Sequence, residues 1–233
     1  MTYKAVIFDM FGTLADEPSH AFGGIMERWA QTAGVPQEAF DRAWRQTMTG
    51  RSVGEFPSIE AYARHVFGLL GLEEDPARVE RFVALRREAS RKALTPRADA
   101  APVIDALQRA GLGVAMVSNC SIDVVEVWEE GAIAPLVDRA VLSAEVGLAK
   151  PDARIYRLAV EMLGVAPADC LYVGDGGDYE LTGARNVGMD PLLICVPYED
   201  PARVAYKQEA LRWTGPRVSS LTEVLAYAGV KAG

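Results

Sequence analysis

An open, doubly wound parallel α/β sheet carrying an inserted helical domain is the architecture this sequence predicts, and three patterns point to it. Short apolar runs recur and end in a polar residue or glycine, amphipathic stretches separate them, and one long block holds helical patterns alone. The runs are Ala5-Val6-Ile7-Phe8-Asp9, Gly113-Val114-Ala115-Met116-Val117-Ser118, Cys170-Leu171-Tyr172-Val173-Gly174 and Pro191-Leu192-Leu193-Ile194-Cys195. Their apolar residues are continuous instead of alternating, as in strands buried on both faces. Ala100 to Ala110 and Ile155 to Leu163 have helical periodicity, and each is followed by a glycine, Gly111 or Gly164, where a helix C-cap belongs. Repetition of strand, helix and strand implies right-handed crossovers with helices on both sheet faces.

From Ala15 to Leu94 that rhythm stops. Helical patterns run from Phe22 to Ala33, Gln37 to Thr47, Ile59 to Leu70 and Pro76 to Ala93. A loop is expected from Gly50 to Pro57, where Gly50, Gly54 and Pro57 fall close together. The block reads as a helical insertion after the first strand. It divides the chain into an α/β core of residues 1–14 and 95–233 and a helical cap of residues 15–94. Leu221 to Ala228 reads as a closing helix.

Composition narrows the function classes. Half of the 233 residues are apolar and 24% are charged, the profile of a globular chain. Acidic residues outnumber basic ones 32 to 24, a formal charge of -8, so no basic field exists to hold a nucleic acid. The longest apolar stretches fall far short of the roughly 20 residues of a bilayer span, and no membrane partner is expected. Met1-Thr2-Tyr3-Lys4 passes into a strand without a signal-like apolar region, and Cys120, Cys170 and Cys195 are odd in number and lack zinc spacing. A cytoplasmic chain with reduced thiols is the expectation. Oligomeric state is open at this stage.

In an open parallel sheet, ligands bind beyond the carboxyl ends of the strands, where strand order reverses. Asp9, Ser118-Asn119 and Gly174-Asp175 follow three of the runs. A carboxylate ending a buried strand is costly unless it is paired or binds metal, although a turn or helix cap is the plain alternative for Asp9 alone.

Phe8-Asp9-Met10-Phe11-Gly12-Thr13-Leu14, Ser118-Asn119, Lys150-Pro151-Asp152 and Gly174-Asp175-Gly176-Gly177-Asp178-Tyr179-Glu180 resemble, in order and rough spacing, the motifs of the haloacid dehalogenase-like (HAD) hydrolases. The resemblance covers nearly the whole chain and includes the helical C1 cap of one subgroup. It implies a Rossmann-like core and an aspartyl nucleophile at Asp9, which would attack phosphorus or carbon and carry the covalent intermediate. It also implies that Thr13 hydrogen-bonds the nucleophile or a phosphoryl oxygen, that Ser118 and Asn119 donate to the transferring group, and that Lys150 neutralises nucleophile and bound group. Mg²⁺ is implied as cofactor, held by Asp9, the Phe11 carbonyl and Asp175, with Glu180 acting directly or through water; Asp178 either assists or caps a helix. Three carboxylates facing Lys150 alone would otherwise repel. Phe11, Gly12, His20 and Arg45 are the expected contacts to a small anionic substrate, with Arg28, Arg42 and Arg51 as further candidate anion contacts in the cap.

The chain departs from the family pattern at Phe11. Most HAD phosphatases have there a second aspartate that protonates the leaving group and then activates water. Phenylalanine cannot transfer a proton, and losing general acid-base catalysis costs about 10²- to 10⁴-fold. The resemblance thus implies a slow phosphatase, one that favours good leaving groups, or one whose acid comes from Asp16, Glu17 or His20. His65 is read as structural. An aromatic at this position is also similar to the 2-haloacid dehalogenases, as are Trp44-Arg45 and the pairing of Lys150 with Tyr156. Those enzymes work without metal and have a neutral Ser/Asn-rich last motif, unlike Asp175 and Glu180 here. A HAD-fold binding module with little catalysis is the third reading, and phosphonate cleavage through Lys92 a remote fourth.

Overall fold

The computed structural model describes residues 3–16, 24–197 and 207–231. Its sheet runs β3-β2-β1-β4-β5-β6, with β1 (Ala5–Phe8), β2 (Gly113–Ser118), β3 (Arg139–Leu142), β4 (Cys170–Gly174), β5 (Asp190–Ile194) and β6 (Arg217–Val218). All five pairings are parallel. The four apolar runs are β1, β2, β4 and β5. Sequence reasoning missed β3 and β6 for a physical reason: both lie at sheet edges, one starts with exposed Arg139, and the other is two residues long.

Chain order reverses between β1 and β4, so the crevice of a doubly wound sheet opens at their carboxyl ends. The register pairs Phe8 with Val173, and the Asp9 amide extends the ladder by donating to the Val173 carbonyl at 2.8 Å. Both sheet faces are covered. Val6, Phe8, Val114 and Met116 pack on one side with α6 (Ala100–Arg109), while Ile7, Ala115 and Tyr172 pack on the other with Ile155 and Tyr156 of α9 (Ala153–Leu163), which follows the short α8 (Ser143–Val146).

Among the described residues, five helices lie between β1 and β2 ahead of α6: α1 (Ile25–Ala33), α2 (Gln37–Gln46), α3 (Met48–Ser52), α4 (Ile59–Leu69) and α5 (Pro76–Ala93). They bury their own cluster of Trp29, Phe40, Tyr62, Phe67 and Phe82. Local signals set their starts. Ser58 accepts from the Ala61 amide at the head of α4, and Asp75 accepts from the Arg78 amide at the head of α5, where Pro76 takes the first position. The loop expected from Gly50 to Pro57 is corrected at its start, because Gly50, Arg51 and Ser52 belong to α3. Gly50 is there for space: a Cβ on it would stand 2.2 Å from Glu55 Oε2.

The helical insertion meets the core along a charged seam. Arg86 pairs with Asp123 of α7 (Ile122–Val127), Arg87 with Glu126 at 2.8 Å, and Arg91 with Glu130 at 2.5 Å. Among the described residues, no helix is long and apolar enough to cross a membrane.

Candidate active site

The turn after β1 brings Asp9 into the crevice. It closes through Ala15 N to Met10 O at 2.9 Å and Gly12 N to Ala15 O at 2.8 Å, with Gly12 at φ +81°. Gly12 is needed for space as well as conformation, since a Cβ there would lie 1.9 Å from Asp175 Oδ2. Asp175 follows β4 directly, and its Oδ1 accepts from the Gly177 amide at 2.8 Å. Glu180 opens α10 (Glu180–Asn186) and folds back under the strand end, where a side chain on Gly174 would collide with it at 2.2 Å.

Asp9, Asp175 and Glu180 converge, each offering an oxygen within 4.8 Å of the others, and all three are buried. Lys150 joins two of them, its Nζ 2.5 Å from Asp9 Oδ1 and 2.5 Å from Glu180 Oε2. Asn119 clamps the lysine's backbone by accepting from Lys150 N at 2.8 Å and donating to Lys150 O at 3.1 Å. Glu180 commits both oxygens: Oε2 also accepts from Tyr172 at 2.8 Å, and Oε1 from the Gly176 amide at 3.0 Å. Burial dominates here. It raises Asp9 to about 6 against the pull of Lys150, with Asp175 adding to the rise, and lifts Glu180 well above the usual carboxylate range with Asp9 adding to it. Burial alone would lower Lys150, but Asp9 and Glu180 overcome it and keep the amine protonated.

A single lysine facing three carboxylates is corrected by a second cation. Buried Lys207 holds its Nζ 2.5 Å from Asp175 Oδ2. Nothing local in the sequence links the two, because the fold alone brings the start of α11 (Gln208–Arg212) to the strand end. The donor set fits a hard dication: the donors are oxygens, they converge, and Asp175 Oδ2 has a charge contact but no well-directed hydrogen bond. The engagement of both Glu180 oxygens fits the water-mediated alternative better than direct ligation.

A cavity of about 430 Å³ opens from this cluster toward the helical insertion. Asp9, Phe11, Asn119, Lys150, Asp175, Asp178 and Glu180 line its core side, with Trp29, Trp44, Arg51 and Arg86 opposite. Asp178 has φ +49° and accepts from Asn119 Nδ2 at 2.7 Å, so it is tied to the motif carrying Asn119 and is not a helix cap alone. Thr13 and Ser118 are fully buried and do not line the cavity; Arg97 donates to the Thr13 carbonyl at 2.9 Å.

Arg45, the expected cap contact, is exposed and off the cavity wall, as are Arg28 and Arg42. α2 turns Arg45 outward, and the following α3 turns Arg51 inward, with its guanidinium 3.7 Å from the Trp44 ring centroid. Arg51 donates to Thr47 Oγ1 at 3.3 Å and Trp44 O at 3.4 Å, and burial pulls it down to about 10, with Arg86 contributing. Arg86 was overlooked, yet its signal was present. It continues the stripe of Val79, Phe82, Val83, Ala89 and Ala93 that α5 buries. Asp16 pairs with Arg97 at 2.9 Å, and exposed His65 lies against Phe56. His20 and Glu17 lie outside the described residues.

An acid–base cluster buried at the switch point of a doubly wound sheet defines a class, the α/β proteins that bind ligands at their strand ends. Within that class, residues 3–188 match the family model for haloacid dehalogenase-like hydrolases, and the chain belongs to this family. It is 34% identical over 194 residues to an (S)-2-haloacid dehalogenase of Xanthobacter autotrophicus, covering 79% of this chain and 72% of that one. It is 29% identical over 198 residues to a phosphatase of Mycobacterium tuberculosis, covering 83% and 88%. A solved L-2-haloacid dehalogenase structure from Xanthobacter autotrophicus superposes with TM-score 0.66 at 24% identity, covering 99% and 100%, a likeness of fold.

Proposed function

We propose that this hydrolase is Mg²⁺-dependent and cleaves small phosphorylated metabolites through an aspartyl-phosphate at Asp9. The reading is carried by Asp175, a buried carboxylate within 4.8 Å of Asp9 and Glu180. Such a cluster suits a cation and opposes metal-free capture of an anionic haloacid. A bound Mg²⁺, held by Asp9, Asp175 and the Phe11 carbonyl, would neutralise phosphoryl oxygens. Lys150 fixes one oxygen of Asp9 and so sets the nucleophile's rotamer. With its pKa near 6, Asp9 is mostly ionised at pH 7. Arg51, facing the cavity from the insertion, is the anion contact we assign in place of Arg45. The insertion acts as a cap that excludes water from the crevice.

Phe11 lines the cavity but transfers no proton, so turnover is slow or restricted to good leaving groups. Phe11→Asp is expected to raise kcat on an unactivated phosphate ester by about tenfold or more in a steady-state assay. No gain in a folded variant would give Phe11 a different role.

Metal-independent 2-haloacid dehalogenation is the second reading. Lys150 and Lys207 together neutralise much of the cluster without a metal, and the 34% identical relative is a haloacid dehalogenase. Phosphate esters and 2-haloacids assayed with and without EDTA separate the two. Phosphate release that stops with chelator and returns with Mg²⁺ supports the first. Halide release that survives chelator replaces it with the second, and silence on both leaves a binding module.

A further inference from the structure

Lys207 reaches the acidic cluster at Asp175. It is buried, its Nζ is 2.5 Å from Asp175 Oδ2, and it does not line the cavity wall. It also reaches the nucleophile turn, since a Cβ on Gly12 would stand 3.2 Å from that nitrogen. Asp175 gives its other oxygen to the Gly177 amide. The contact through Oδ2 is close but lacks hydrogen-bond direction, so this oxygen is the one that can change partners.

Lys150 is gripped at both ends, by Asp9 and Glu180 at its amine and by Asn119 at its backbone. Lys207 presents its ammonium, a compact point charge, to Asp175 Oδ2. An ammonium and a dication on the same carboxylate repel at close range, and burial weakens the screening between them.

We propose that Lys207 is a tethered cation that occupies the Asp175 end of the cluster, and that a divalent ion must displace it, so that this side chain sets the metal affinity of the site. The inference rests on the assignment of Asp9 and Asp175 as metal ligands. Lys207 is a positioning residue here: it keeps Asp175 paired when no metal is bound and weakens the metal when one arrives.

The test is Mn²⁺ titration of the full chain, with free Mn²⁺ read by electron paramagnetic resonance. Lys207→Met should bind Mn²⁺ about tenfold or more tightly than wild type, because a neutral side chain removes the competing charge. Lys207→Arg keeps the charge and should stay near the wild-type value. Adding Asp175→Asn to Lys207→Met should abolish the gain. Lys207→Gln serves as the second neutral variant if melting curves show that Lys207→Met has not folded. Equal or weaker binding by a folded neutral variant overturns the proposal and leaves the metal site standing. No binding by either wild type or neutral variant overturns the metal assignment and the proposal with it.

Discussion

Two buried clusters of acids and bases line one cavity, and although burial pushes the carboxyls of both upward, the net outcomes are opposite. At the sheet's switch point Asp9, Asp175 and Glu180 meet Lys150 and Lys207, and desolvation lifts Asp9 to about 6 and Glu180 well above its usual range. At the seam Asp123 meets Arg86 and the hydroxyls of Ser90 and Ser121. Burial pushes Asp123 upward too, but Arg86 and the hydroxyls outweigh it and hold the carboxyl below its usual value. The seam cluster is close to balanced and serves the structure. The switch-point cluster sets three carboxylates against two lysines, a surplus of acids that favours taking a cation.

Mutations should pull the two clusters apart. Asp9→Asn is expected to lower kcat by about 10⁴-fold or more, because it removes the proposed nucleophile. It should not lower the melting temperature, since it relieves repulsion with Asp175 and Glu180. A variant that is active, or clearly less stable, would mean that Asp9 is a structural residue like Asp123. Asp123→Ala is the counterpart. It leaves Arg86, nearly inaccessible and 4.6 Å from the ring centroids of Trp29 and Trp44, without its carboxylate. Breaking a buried pair in this way costs about 3–5 kcal/mol, which urea unfolding would detect. A loss below about 1 kcal/mol would place the pair among weak surface bridges instead.

The two clusters were unequally legible in the sequence. Asp9 and Asp175 could be found because each directly follows a continuous apolar run, and strand ends are where an open sheet binds ligands. Lys150 and Glu180 came with the motifs. Lys207 could not be read, since no periodicity or spacing ties α11 to the end of β4. Arg51 and Arg45 were both visible, but the turn between α2 and α3 chooses which faces inward, and the glycine that suggested a loop sits inside a helix. The seam could have been found from Arg86, a charge on an apolar stripe that must meet a buried partner.

The smallest effect is in the pH dependence of stability, and there the clusters should differ in sign. Asp123 has a folded pKa below its unfolded one, so the unfolded chain binds more protons in between. Its contribution is full above the unfolded value and is lost as pH falls through the folded one. Asp9 is the reverse: with a folded pKa of about 6, the folded chain binds the extra proton, and stability declines as pH rises from the ordinary carboxylate range through 6. Urea unfolding in EDTA, at intervals from pH 3 to 8, reads both. Asp9→Asn should flatten the decline between about pH 4 and 6, and Asp123→Asn should flatten the loss at the acid end. EDTA matters because an ion on Asp9 would lower its pKa and hide the first slope. If Asp9→Asn leaves the curve between pH 4 and 6 unchanged, the excess charge at the switch point is already neutralised by the two lysines, and the contrast between the clusters is one of position alone.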